Sequence, residues 1–428
     1  MDPLGVDLFD PRTYTSGVPH EAFAVLRRDC PVYRQEEPAI LGWPEGPGYW
    51  AVMRYRDVVF VNRNPNLFSS QLGATQIRDP KPDDLAFQQR MMLNLDPPEH
   101  SRLRRIVSKA FTPRHIERLE AFLRQRARAL VDAVAPLGAC DFSHDLAADL
   151  PLLALAEVLG VPAEDRRLLF NWGNRVIGFQ DPEYAVYDEQ GRPVDPRSRA
   201  ALQDMFEYAH QLADRKRREP ADDVITALLF AEVDGQKLTR EEYENFFFLL
   251  TVAGNETLRN GIPNGTLALL EHPEEHRRLL DDPSLLPTAI EEMLRFAGPV
   301  MCFRRTAAAD VELAGTKIRA GDKVVVYYAS ANRDEAAFAD PDRFDVGRTP
   351  NEHLSFGVGP HFCLGAHLAR LQMRVFFEEA LWRVPDLELA GPVERLQSNF
   401  QAGVKHMPVR FSPPSTAAGP RPASPVRS

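Results

Sequence analysis

The stretch Phe356-Gly357-Val358-Gly359-Pro360-His361-Phe362-Cys363-Leu364-Gly365 constrains this 428-residue chain more than any other part of it. A cysteine ends a glycine-rich turn and begins an apolar-periodic segment, with Leu364, Leu368, Leu371 and Val375 at helical spacing. That spacing predicts a helix over about 364–383. Glycines at 357 and 359 let the backbone turn tightly and lie flat against a large planar ligand. A helix N-terminus and nearby N–H groups favour a thiolate and lower the cysteine pKa. Gly365 permits close packing beneath the ligand. Cys363 is therefore the candidate metal-binding sulfur. Cys30, Cys140 and Cys302 are scattered and form no CxxC pair. That excludes a compact zinc knuckle and argues against a disulfide framework, so these three read as small buried hydrophobes.

The remaining pattern is mainly α, with a smaller β-rich part, in an α+β arrangement. Residues 49–53 have strand character, and Asp96-Pro97-Pro98-Glu99 marks a helix start. Amphipathic helices are expected over 114–134, 149–159 and 199–218. Residues 179–197 form a long polar loop between helices, a lid candidate. Short strands are expected over 311–313, 316–318 and 324–328, then a nearly irregular stretch from 329 to 362. Residues 1–411 read as a single domain. Residues 412–428, with five prolines in seventeen positions, read as a disordered Pro-rich tail. The formal net charge of -10 disfavours nucleic-acid binding. The N-terminus lacks the basic start and apolar core of a secretory signal, and no run of 18 apolar residues occurs. A soluble, cytoplasmic protein with no membrane span is expected.

The fixed positions of FGxGxHxCxG are all present, at Phe356, Gly357, Gly359, His361, Cys363 and Gly365. This is the haem-binding signature of the cytochrome P-450 family, which the chain resembles over about residues 10–411. The resemblance implies the P-450 fold, a large helical region with a smaller β-rich region around one buried haem b. Cys363 would be the axial iron ligand. A thiolate ligand donates electron density to iron and favours O–O cleavage, while the protein positions and protects the cofactor. Ala253-Gly254-Asn255-Glu256-Thr257 resembles the family's A-G-x-D/E-T in the helix that crosses the haem. It implies that Ala253 and Gly254 border the cofactor, where a bulge could admit dioxygen and water. Thr257 would hydrogen-bond the oxygen under activation, and Glu256 would relay protons from solvent. Glu stands here where many members have Asp.

Haem also carries two propionates. His100 and Arg104 share one helix face and match the family's H-x-x-x-R, while Arg305 and His353 match two further propionate positions. The arginine fork suits a carboxylate. Arg304 could take the place of Arg305, because the arginine is doubled. Glu292 and Arg295 sit at i and i+3 and match the family's E-x-x-R pair, a structural feature. The usual third member resembles Arg343, with Arg348 as the alternative.

The family's substrate-facing regions fall here on Met91, Met92, Leu93, Phe248, Val252, Val300, Met301, Phe303 and Phe400. They are apolar and fit a steroid, terpenoid, lipid or other natural-product scaffold. AGNET and Gly403-Val404-Lys405-His406 resemble the steroid side-chain, branched-lipid and terpene hydroxylase branches. No GxGxxG follows a strand and no iron–sulfur cysteines are fused to the chain. Electrons are therefore expected from a separate ferredoxin and ferredoxin reductase. Arg102, Arg105 and Lys109 could steer an acidic ferredoxin. The function implied is a monomeric monooxygenase that inserts one atom of dioxygen into a C–H bond of a small apolar substrate. A peroxide-driven peroxygenase and a non-enzymatic haem sensor or ligand carrier are the alternatives. The Glu256–Thr257 pair counts against both.

Overall fold

The computed structural model describes residues 5–109, 111, 113–232 and 235–413. The strand Lys323–Tyr327 is buried at every position because it lies mid-sheet with both faces covered. Gly46–Val52 pairs with it in parallel and Cys302–Ala307 antiparallel, while Val32–Glu37 and Phe68–Ser69 complete a five-stranded sheet. Alternation along these strands feeds two cores. Val52, Val324 and Val326 pack with Val58, Val61 and Leu354, whereas Tyr49, Ala51, Val325 and Tyr327 pack with Phe23 and Leu26. The strand expected over 324–328 thus begins one residue earlier, and Tyr328 opens a short helix, Tyr328–Ala331. Near the C-terminus, Pro408–Arg410 pairs with both Ala139–Asp141 and Glu388–Leu389.

The helices form the largest core. Asp149–Leu159 occurs as read, Pro113–Val134 begins one residue early, and Gln203–Arg218 begins late. The delay follows from a long stretch without helix between Ile177 and Gln203, which contains the lid candidate. The helix after the cysteine is Ala366–Ala380, because Leu364 and Gly365 still belong to the turn. It lies against Pro113–Val134. Arg124 meets Glu120, Glu378 and Glu379 at 2.8, 2.6 and 3.3 Å, and Arg374 meets Glu120 at 2.7 Å. These pairs are partly solvated and set register more than stability. Among the described residues, no helix is long and apolar enough to cross a membrane. Of the expected tail, the Ser412 N–H donates to Asp386 at 3.0 Å, and residues 414–428 lie outside the described residues.

Arg295 and Glu292 are fully buried on one turn of the helix Leu286–Ala297. Arg295 donates Nε and Nη2 to the two Glu292 oxygens at 2.7 and 2.8 Å. Its Nη1 donates to the carbonyls of Asn332 and Pro341, both at 2.8 Å. The third member of this group is Arg348, whose Nε lies 3.1 Å from each Glu292 oxygen. That corrects the expectation for Arg343. A turn closed by the Arg343 N–H on the Asp340 carbonyl leaves the Arg343 carbonyl inward, accepting from Arg295 and Arg348. The Arg343 side chain is 63% exposed and comes no nearer than 4.0 Å to Glu275. Removing one partner from a buried ionic group leaves an uncompensated charge, so Arg348→Ala should cost about 3–5 kcal/mol. Arg343→Ala should stay within about 0.5 kcal/mol. Urea unfolding midpoints of the two variants, compared at equal m-values, check this; equal losses would restore Arg343 to the network.

Candidate active site

Gly357 and Gly359 adopt φ of 69° and 79°, a left-handed backbone that favours glycine. A Cβ on Gly359 would lie 2.6 Å from the Asn62 carbonyl, so the turn seats directly on the helix Tyr55–Arg63. The Cys363 N–H closes the turn on the Phe356 carbonyl at 2.8 Å. Burial pushes the Cys363 thiol up; the Gly365 N–H, Arg104 and Arg370 pull it down without prevailing. The lowered pKa expected at a helix N-terminus is therefore not reached by protein groups alone, because desolvation wins. A cation bound to the sulfur would supply the missing stabilisation. Deeply placed as it is, Cys363 stays partly accessible, and a Cβ on Gly365 would meet nothing within 4 Å.

Beside it, two arginines and two imidazoles converge. The His100 and His361 rings lie 4.2 Å apart, and Arg104 and Arg305 both act electrostatically on His361. Burial, then Arg104 and Arg305, holds His100 down to about 4 against the pull of Asp96. Burial likewise pushes His361 well below its usual range. His100 Nδ1 is buried without a partner. Arg305 donates to the Arg304 carbonyl and to Asn62 Oδ1, at 2.8 and 2.9 Å, and meets no carboxylate among the described residues. Arg304 is bound to Asp79 at 2.6 Å, which leaves Arg305 for an incoming anion. His353 meets a carboxylate. Its Nε2 is 3.1 Å from Glu291, and Glu291 also grips Arg370 at 2.6 and 2.7 Å. Glu291 thus ties His353 to the cysteine helix. Two arginines with no carboxylate in ion-pair contact among the described residues, and two uncharged imidazoles with N–H donors, lie next to Cys363 and suit a metal macrocycle with two carboxylates. The residues present fit haem.

The apolar segment over 246–257 is not one continuous helix. Arg240–Ala253 opens on a Thr239/Glu242 capping box, and a second helix, Glu256–Glu271, starts after Gly254-Asn255. A Cβ on Gly254 would lie 2.9 Å from both Leu155 and the Leu250 carbonyl, so glycine permits the close approach of Asp149–Leu159. Asn255 and Thr251 are fully buried, and their side-chain polar atoms have no partner. Ala253, between them, is exposed, so this face opens onto a space. The Ala253 carbonyl accepts the Thr257 hydroxyl at 2.8 Å. Glu256 is buried; desolvation raises its pKa, and Arg259, 3.3 Å away, opposes that rise. Arg259 also donates to Asn174 and covers the Phe170 ring at 4.8 Å. Sequence reading missed Arg259 as the partner of Glu256, although its i+3 spacing was a legible signal; Asn174, from a different helix, meets Arg259 rather than Glu256 and carried none.

The apolar residues assigned to substrate fall in two groups. Val300 bridges to Gln401, the Met301 N–H donates to the Phe400 carbonyl at 3.0 Å, and Phe303 meets Phe400 edge-on at 5.2 Å. Met91, Met92 and Phe248 are buried in the helical core, against which Val252, Phe356 and Phe400 pack; Leu93 is half-buried. In the basic patch, Arg102 is paired with Glu242, and Lys109 donates to the Glu232 carbonyl at 2.9 Å. Arg105 and Lys109 are exposed.

The family model for cytochrome P450 matches residues 192–383. A steroid C26-monooxygenase of Rhodococcus jostii is 40% identical over 421 residues, covering 97% of this chain and 86% of the relative. A methyl-branched lipid omega-hydroxylase of Mycobacterium bovis is 44% identical over 396 residues, covering 91% and 90%. Among solved structures, a Mycobacterium marinum cytochrome P450 in complex with pseudoionone aligns with a TM-score of 0.84 at 39% identity, covering 94% of this chain and 97% of that one. Homology over nearly the full length, on a site whose donors fit a thiolate-ligated haem, places this chain in the cytochrome P-450 family.

Proposed function

We propose that this P-450 monooxygenase hydroxylates a C–H bond at the apolar end of a branched lipid or a steroid side chain, with Glu256 and Thr257 handling protons. The observation that carries the reading is the helix break at Gly254-Asn255, where an exposed Ala253 adjoins a buried, Arg259-paired Glu256. The names of the two curated relatives support the substrate class. So does the apolar character of Val300, Met301, Phe303 and Phe400.

Bound haem b, with Cys363 as its thiolate ligand, supplies the activation of dioxygen. His100, Arg104, Arg305 and His361 would hold its propionates, since the arginines make no ion pair among the described residues and the imidazoles offer N–H donors. Burial favours a proton on the Glu256 carboxyl, and Arg259 moderates that preference. A small cavity lined by Asn174, Tyr184, Glu256, Arg259 and Lys405 gives this carboxyl a polar route outward. The Thr257 hydroxyl rotates freely about its C–O bond, so the hydrogen now on the Ala253 carbonyl can turn to the space that Ala253 borders. Glu256 then replaces protons that Thr257 presents.

Electrons would come from a ferredoxin and its reductase. In the basic patch, Arg105 and Lys109 are exposed and are the residues an approaching partner would meet first. A cytoplasmic monomer with one functional unit over residues 1–411 completes the proposal. The pairing of Pro408–Arg410 with Ala139–Asp141 supports the single unit.

Three outcomes are expected. Cys363→Ser should abolish the thiolate signature in the spectrum of the reduced CO complex. Glu256→Gln should slow product formation by about 100-fold, the scale of general acid–base catalysis, and Thr257→Ala should divert electrons to peroxide; oxygen, NAD(P)H and product counts measure both, and unchanged coupling would sink the relay. Reversing the charge of Arg105 and Lys109 together should slow reduction by ferredoxin most at low salt. Stopped-flow rates that match the parent at every ionic strength would rule this patch out.

A further inference from the structure

A cavity bordering Phe400 is lined by Phe9, Trp43, Arg78, Phe179 and Arg197, among others. The Arg78 guanidinium carbon lies 4.5 Å from the Trp43 ring centroid and 5.4 Å from that of Phe9. Its Nε and Nη1 are buried without a hydrogen-bond partner. The Arg197 guanidinium carbon lies 5.4 Å from the Phe179 ring. Aromatic rings satisfy the faces of a guanidinium but not its edge, where the five N–H donors lie. Neither arginine meets a carboxylate within ion-pair distance among the described residues. Burial pulls both down to about 10, so both remain charged at neutral pH. Desolvated cations of this kind are unfavourable unless something pairs with them.

The nearby acids are largely engaged. Asp79 sits between Arg304 at 2.6 Å and Lys323 at 2.8 Å. Glu37 holds Lys323 at 2.7 Å. Asp195 uses Oδ1 to accept the Arg197 N–H at 2.9 Å and offsets only part of the charge. Two arginines against one aspartate leave a surplus suited to a monoanion rather than a dianionic phosphate. On the inner side, Phe400 packs on Phe303 at 5.2 Å, and Phe303 packs on Tyr328 at 6.3 Å. The Tyr328 hydroxyl shares Asn62 Oδ1 with Arg305. An aromatic wall therefore runs from the two arginines to the cationic cluster beside Cys363.

We propose that this cavity is a carboxylate subsite, in which Arg78 and Arg197 hold the ionised head of a long-chain acid while its apolar chain runs past Phe400 towards the oxidation site. The inference rests on the lipid-hydroxylase reading and adds to it. Anchoring the head fixes which carbon reaches the oxidant, and oxidation falls at the end remote from the carboxylate.

The test is a titration of the haem-loaded enzyme with 15-methylhexadecanoic acid and with its methyl ester, followed by the haem absorbance shift. The acid should bind about tenfold more tightly than the ester, the scale of one charge-assisted hydrogen-bond group. Arg78→Gln and Arg197→Gln should each remove most of that preference and leave the ester affinity unchanged, so the ester also reports an intact pocket. Equal affinity of acid and ester for the parent enzyme would overturn the subsite and leave the hydroxylase reading standing. Failure of both ligands to perturb the haem would overturn the long-chain reading, and the subsite with it.

Discussion

The buried contact of Glu292 with Arg295 and Arg348 is the constraint on which the rest of the structure depends. The chain from Asn332 to Ser355 has little regular secondary structure, so its backbone groups need partners from outside. Arg295 and Arg348 supply them, donating to carbonyls at Asn332, Ala339, Asp340, Pro341 and Arg343. Glu292 in turn accepts the Asp345 N–H and the Asn351 amide. Asn332 then holds the Leu354 N–H and the Ser355 hydroxyl, one step before the glycine turn. The position of Cys363 is thus set by a charge network that contains no catalytic group. Such a network is poorly replaced by parts, since every member leaves a buried charge or carbonyl behind when removed.

The site itself is organised by what its residues lack. Around Cys363 the protein assembles two arginines, two imidazoles and a thiol, and among the described residues no carboxylate makes an ion pair with either arginine. Burial raises the thiol and depresses two histidines for the same reason, the poor solvation of charge inside a protein. Both displacements are relieved by one ligand that carries a metal and two carboxylates. The same logic separates useful cations from structural ones. Arg304 has Asp79 and His353 has Glu291 in direct contact, whereas Arg305 and His100 feel Asp96 without an ion pair to it. Arg78 and Arg197 belong, by this criterion, with the second pair.

Much of this was legible in the chain. The glycines at 357 and 359 announced a left-handed turn, and the periodicity of Leu368, Leu371 and Val375 announced the helix behind it. The buried strand over 323–327 and the helix over 149–159 follow from composition and spacing that local sterics and solvation enforce. Residue spacing also paired Glu292 with Arg295, because three positions on a helix are always adjacent. The choice between Arg343 and Arg348 was not legible. It turns on which way a loop carbonyl points, and no periodic rule governs irregular backbone. The break after Ala253 was only partly visible: glycine marked a weakness, but the close approach of Leu155 gave it a function.

Sequence by itself determined the ligand atom, the haem signature around it, the family and the regular elements, because each depends on a local pattern of residue types. Tertiary structure alone decided which charges are already paired. It put Arg348 in the ionic network in place of Arg343, paired Arg304 with Asp79 and His353 with Glu291, and set Arg259 against Glu256 with Asn174 beyond it. Pairing of charges depends on distances between segments far apart in the chain, and a one-dimensional pattern does not contain those distances.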